Sequence, residues 1–246
     1  MTLTLAIIGK SGSGKTTVTK AFMRVMKEKY PEKSILLFDN DLTCELGHTF
    51  GLDIRNTVYG IRSGKHEYKT GIPSKMTKQE YIEWALEDIV VNLEKNVDIL
   101  VSWLIGSKDC RCPITQQIND ALAKFFKQYD IVIFDCELDL KYLNQLVDCH
   151  IDTALIIAEP TEESARLAAR IEEYSAKYAT GGQIGVVLNK IQGNTDETVS
   201  KMIKDNHIDI LGVIPYDKDI NGITKESETV QNAIKNMLFR LNIAID

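Results

Sequence analysis

Apolar positions along this chain follow two alternating rhythms. Continuous apolar runs rich in β-branched residues occupy Leu3–Gly9, Ser34–Asp39, Asp98–Leu104, Asp130–Asp135, Thr153–Ala158, Gln183–Leu188 and Ile208–Ile214. Runs apolar at nearly every position suit strands buried on both faces of a mainly parallel sheet. Between them, apolar residues recur every three to four positions. Val18, Ala21, Phe22, Val25 and Met26 share one face of a helix after the first run, and Leu167, Ala168, Ile171, Tyr174 and Tyr178 share one face of a later helix. This alternation predicts an α/β fold, a single doubly wound, mainly parallel sheet flanked by helices with right-handed crossovers. Val230–Ile245 is amphipathic through Ile234, Leu238, Leu241 and Ile245, and is expected to pack onto the sheet.

The pattern breaks once. Gly51–Thr77, with scattered glycines, charges and Pro73, reads as a long excursion before a helix at Lys78–Leu93. Excursions of that length are often lids or partner surfaces. With no linker or repeat elsewhere, residues 1–246 are expected to form one domain, in which 51–95 is the excursion and its helix. The 246 residues, 44% hydrophobic and 26% charged, are enough for one substantial core. No apolar run approaches the roughly 20 residues that span a membrane. The Leu3–Ile8 stretch is too short for a signal peptide, so the chain is expected to be cytoplasmic. A net charge of -6 argues against nucleic acid as a partner. The last amphipathic stretch has only Lys235 and Arg240 as cations, which argues against a stable membrane anchor.

Candidate chemistry begins where the first strand ends. Gly9-Lys10-Ser11-Gly12-Ser13-Gly14-Lys15-Thr16 is a G-x-x-x-x-G-K-T phosphate loop between a strand and an amphipathic helix, the context this motif requires. Its glycines let backbone N–H groups turn around phosphate oxygens at a positive helix end. Lys15 would reach the β- and γ-phosphates of ATP, and the Thr16 hydroxyl would ligate magnesium. The lysine directly after the first glycine is unusual. Lys10-Ser11-Gly12-Ser13-Gly14-Lys15-Thr16-Thr17 resembles the deviant Walker motif of the ATPase group that contains MinD, ParA and the nitrogenase iron protein. The resemblance implies a homodimer in which Lys10 reaches across to the partner's nucleotide; the group usually has glycine where Ser11 stands.

Two acids fit the same site. Asp41, in Phe38-Asp39-Asn40-Asp41, matches the group's first switch acid, which orients the attacking water or holds magnesium through a water. Asp135 ends a buried strand as a Walker B acid does and would assist the metal. An acid after a strand also serves as a helix cap. Asn189 and Lys190, at the end of Val186-Val187-Leu188, resemble the group's adenine-reading strand end, and Pro215, in Leu211-Gly212-Val213-Ile214-Pro215-Tyr216-Asp217, its second purine loop.

Five cysteines (Cys44, Cys110, Cys112, Cys136 and Cys149) suit free thiols or metal ligands better than a disulfide framework. Cys110 and Cys112, one residue apart, point to opposite sides of an extended backbone, so two copies about a dyad would supply four thiolates for zinc or nickel. The cysteine pair, Ile157-Ala158-Glu159-Pro160-Thr161-Glu162-Glu163-Ser164 and the Pro215 segment together resemble the CooC-type ATPases, which assist nickel insertion into carbon monoxide dehydrogenase. That implies an ATP-hydrolysing homodimeric metallochaperone with a client metalloenzyme. Cys136-Glu137-Leu138-Asp139-Leu140-Lys141-Tyr142 departs from that family's Glu-Ala-Gly turn. Two alternatives stand beside it, an iron–sulfur electron-transfer ATPase and a MinD/ParA-like positioning ATPase. The four histidines are scattered without ligand spacing.

Overall fold

The computed structural model describes residues 1–63, 75–103, 113–137, 150–175, 182–193, 197, 201, 205, 209–217 and 227–241. Strands β1 (Leu3–Gly9), β2 (Ile35–Asn40), β3 (Val91–Glu94), β4 (Val97–Val101), β5 (Ile131–Cys136), β6 (Thr153–Ala158), β7 (Gln183–Ile191) and β8 (Ile210–Pro215) form one sheet. Helices α1 (Lys15–Lys29), α2 (Glu45–Thr49), α3 (Val58–Ser63), α4 (Lys78–Ile89), α5 (Pro113–Phe126), α6 (Glu162–Ser175) and α7 (Glu228–Arg240) accompany them. The strand order is β3-β4-β2-β5-β1-β6-β7-β8. All neighbours are parallel except β3 and β4. The doubly wound, mainly parallel sheet expected from the apolar runs is the one observed.

Strand side chains alternate between two cores. Leu5, Ile7, Leu37 and Ile133 face a cluster completed by Val18, Phe22, Met26, Ile234 and Leu238 of α1 and α7. Ala6, Ile8, Phe38 and Phe134 face the opposite cluster, with Ile82, Leu86, Leu122 and Ile171 of α4, α5 and α6. Phe38, Phe126 and Phe134 meet edge to face there, with centroids 5.1 to 5.7 Å apart. Burial on both faces is why these strands lack polar alternation. Ile234 and Leu238 bury themselves as the C-terminal amphipathic pattern anticipates, and no described helix is long and apolar enough to cross a membrane.

The helix expected to run to Leu93 ends at Ile89 instead. Thr77 opens it with a capping box, its hydroxyl accepting from Glu80 N–H while the Glu80 carboxylate accepts from Thr77 N–H. At the far end Val90 turns extended, and Val91–Glu94 pairs antiparallel with β4 as the edge of the sheet. The β-branched Val90-Val91 pair favours a strand, and Asn96, at φ +62°, makes the tight turn back.

Because β1 lies between β5 and β6 while α1 carries the chain over to β2, β1 sits where the connections diverge. Open α/β sheets bind ligands at such a switch point, outside the carboxyl ends of the strands.

Candidate functional site

The phosphate loop leaves β1 at Gly9, whose φ of +144° suits glycine. A Cβ there would lie 2.5 Å from the backbone oxygen of Ile157 in β6, so the residue type is fixed by close strand packing as well. Ser13 N–H donates to Lys10 O at 3.2 Å and closes the turn. Gly14, at φ +95°, is the N-cap of α1 and offers no side-chain cap, and the first turn of α1 carries no acid. The amide donors of that turn, with buried Lys15 and Thr16 among its residues, are therefore left for an anion. Lys15 Nζ folds back over the loop, 3.4 Å from Lys10 O.

Three acids gather beside this helix end. Asp39 and Asp135 lie opposite each other in the β2–β5 register. Asp39 is fully buried and accepts from Gly47 N–H at 2.9 Å and Asp41 N–H at 3.2 Å. Burial, against these two bonds, pushes its carboxyl up to about 6. Asp135 is more extreme. Both its carboxylate oxygens are buried without a hydrogen-bond partner. Burial above all, then the charge of Asp39, pushes its pKa up to about 8, against the pull of the Lys15 ammonium and the nearby Thr16 hydroxyl. That hydroxyl lies close to the acid without completing a well-aligned bond to either oxygen. Asp41 accepts from Thr43 N–H at 2.8 Å and from the Thr43 hydroxyl at 2.7 Å, which fixes its rotamer.

Orphaned, buried carboxylate oxygens next to a threonine hydroxyl and an uncapped helix fit a magnesium–nucleotide. Thr16 and Asp135, with Asp41 at the edge, would hold the ion, which neutralises phosphate charge when bound. Among the described residues no three of His, Cys, Asp or Glu converge as a protein-only metal cage; magnesium, which keeps waters and shares phosphate oxygens, needs none.

Most of the other residues singled out in the sequence lie near the carboxyl ends of the strands, with differing roles. Lys10, half exposed, pairs with Glu163 of α6 at 3.0 Å within the same chain. Ser11 and Thr17 are exposed. Asn189 spends its amide inside the protein. Its Nδ2 donates to Ser13 O at 2.8 Å and its Oδ1 accepts from Lys190 N–H at 2.9 Å. A Cβ on Gly14 would come within 2.4 Å of that Nδ2, so glycine here makes room for Asn189. Lys190 Nζ reaches Gly12 O at 2.7 Å and Glu159 Oε1 at 2.8 Å. Pro215, exposed at the end of β8, lies beside Ile191 in the strand register.

Cys110 and Cys112, like Cys149, lie outside the described residues. Cys136 is buried at the end of β5, paired in register with Asn40. Cys44, just before α2 at φ +50°, is pushed up to about 12 by burial and by Asp39 and Asp41, and stays a thiol. The sequence alone assigned no role to Asp39, Thr43, Glu159 or Glu163. The Asp39-x-Asp41 spacing was the available signal, because residues two apart on an extended strand share a face.

Comparison with known proteins agrees with this geometry. The model of the CobQ/CobB/MinD/ParA nucleotide-binding domain matches residues 5–230. An ATP-binding protein of Methanocaldococcus jannaschii is 27% identical over 219 residues, 88% of this chain and 85% of the relative. The MinD cell division protein of Aquifex aeolicus superposes with a TM-score of 0.70 at 19% identity, covering 100% of this chain and 99% of its own. A putative plasmid partition protein of Borrelia burgdorferi bound to AMPPNP gives 0.71 at 15% identity, covering 98% and 99%. With its phosphate loop, its strand order and a family match over nearly its whole length, the chain belongs to the CobQ/CobB/MinD/ParA family of nucleotide-binding domains.

Proposed function

We propose that this chain is an ATP-hydrolysing switch that binds ATP with magnesium in the phosphate loop and works as a homodimer. The observation that carries the reading is Asp135, an acid buried with two unpartnered oxygens beside Thr16 and the uncapped α1. An arrangement so costly without a cation is the mark of a functional site. The AMPPNP carried by the Borrelia burgdorferi protein supports a nucleoside triphosphate as ligand.

The residues divide the work as follows. Backbone donors of Gly14, Lys15 and Thr16, with the Lys15 ammonium, take the phosphates. Asp41, held by Thr43, is placed to orient a water. In hydrolysis that water adds to the γ-phosphorus, the bond to the β–γ bridging oxygen breaks, and ADP and phosphate leave. Lys10 stands exposed just beyond the end of β1, its ammonium held among the described residues by a solvated ion pair with Glu163. Such pairs contribute about 0–1 kcal/mol, so Lys10 is cheaply released toward a second subunit.

The test is ATP turnover with and without magnesium, together with size-exclusion chromatography in apo, ADP and ATP states. Magnesium-dependent phosphate release, an ATP-induced dimer in wild type, and loss of that dimer in Lys10→Ala are expected. Absence of nucleotide binding would overturn the reading.

Cys110-x-Cys112 supports a finer reading, in which the dimer carries zinc or nickel to a client such as carbon monoxide dehydrogenase. The comparisons favour the MinD/ParA-like alternative, a nucleotide-driven positioning switch. Metal content near half an equivalent per chain, lost in the double cysteine-to-serine variant, would restore the metal-delivery reading.

A further inference from the structure

Lys190 and Glu159 stand at the ends of two neighbouring strands, and Lys190 bridges Glu159 and the phosphate loop. We propose that they are positioning residues: the Lys190–Glu159 pair holds the loop open for a nucleoside di- or triphosphate, and neither residue reads the purine. This deepens the nucleotide-binding reading above and rests on it.

In a trans peptide the C=O and the following N–H point in opposite directions. Lys190 Nζ takes Gly12 O at 2.7 Å, and Asn189 Nδ2 takes Ser13 O at 2.8 Å. Both carbonyls are thereby drawn toward the ends of β6 and β7. The N–H groups of Ser13 and Gly14 must turn to the other side of the loop. Ser13 N–H closes the turn onto Lys10 O there, and Gly14 N–H joins the donors at the start of α1. Backbone N–H groups turned to one side of a glycine-rich loop are what a phosphate requires.

Lys190 is itself held from three directions. Its backbone sits at φ +61°, an unfavourable value for a lysine, secured by its N–H donating to Asn189 Oδ1. Its ammonium is shared between Gly12 O and Glu159 Oε1 at 2.8 Å. Glu159 is fixed in turn, because its N–H donates to the Ser164 hydroxyl at the start of α6 at 3.0 Å. The chain of contacts runs from α6 through two strand ends into the loop. Glu159 also neutralises Lys190, so Lys190 adds direction to the site rather than charge.

The experiment measures affinity for ADP, ATP and GTP by fluorescence titration of their labelled analogues, together with steady-state hydrolysis, on the full chain. Lys190→Ala is expected to weaken ADP and ATP equally, by about tenfold, as loss of a charged hydrogen bond implies. KM should rise by the same factor, while kcat at saturation stays within about twofold. Lys190→Arg should recover most of the affinity, since a guanidinium also spans both acceptors. Glu159→Ala should act in the same direction, and the double variant should be no weaker than Lys190→Ala alone. The nucleotide-free melting temperature of Lys190→Ala should stay close to wild type, which separates loop positioning from general destabilisation.

An altered ATP-to-GTP preference in Lys190→Ala would mean a base contact and overturn the proposal, as would unchanged affinity or a loss confined to kcat. If wild type bound no nucleotide, the underlying reading would fail first. A wild type that binds while Lys190→Ala binds equally well sinks only this inference.

Discussion

Replacing Asp135 by asparagine is expected to stabilise the nucleotide-free protein while abolishing magnesium-dependent nucleotide binding. The acid ionises freely in the unfolded chain, but in the fold it is raised from 3.8 to about 8 by burial and by Asp39. At neutral pH the folded protein must therefore take up a proton that the unfolded chain does not hold, at a cost of about 4 kcal/mol. Asparagine needs no proton, though its buried amide still lacks partners, at a cost of about 2 kcal/mol. The net gain is about 2 kcal/mol, which for a domain of this size raises the melting temperature by roughly 4–8 °C. The pH dependence carries the sign. Below 3.8 the group is neutral in both states and costs nothing; the penalty grows as pH rises toward 8. Asp39, raised to about 6, adds the same sign at lower pH, so of these two acids Asp135 dominates the slope between 6 and 8. Scanning fluorimetry across that window should show wild type losing stability with pH and Asp135→Asn losing less. Magnesium and ADP should reverse the order of the two proteins. If the variant melted lower throughout, or kept the wild-type slope, the account of a carboxylate buried for a cation would be wrong.

Gly9→Ala should abolish nucleotide binding, because φ +144° and a Cβ 2.5 Å from the Ile157 backbone oxygen leave nothing flexible to yield; isothermal titration would detect it. Thr77→Ala removes the capping box of α4 and should cost about 1 kcal/mol in urea unfolding, with nucleotide affinity unchanged. Phe134→Ala empties the centre of a fully buried aromatic cluster and should cost about 3–5 kcal/mol by the same measurement.

The seven parallel strands were legible because burial on both faces leaves an apolar signature that needs no partner to interpret. Strand β3 was not. Leu86, Ile89, Val90 and Leu93 continue a helical spacing, and no glycine or proline marks the break; a half-exposed edge strand of four residues has too little pattern of its own. The phosphate loop was readable for a related reason, being one contiguous stretch. Glu159 was missed because its role exists only across the sheet, 31 residues from Lys190. Asn189 is expected from its motif to contact the purine; its bond to Ser13 O, a carbonyl no linear motif names, was not legible. Lys10 was legible as unusual, but its exposed partner Glu163 follows from helix placement alone.

The bond between Asn189 and Ser13 spans 176 residues, and that between Lys190 and Gly12 spans 178. During synthesis, then, the loop emerges well before the strand end that locks it. A nascent chain halted before β7 carries the whole glycine-rich motif without the struts that set it. Bound nucleotide cannot guide the early stages of folding, and contacts so far apart in sequence are slow to form. Fragments ending before Gln183 carry the signature of a nucleotide binder without the two bonds that turn its carbonyls aside.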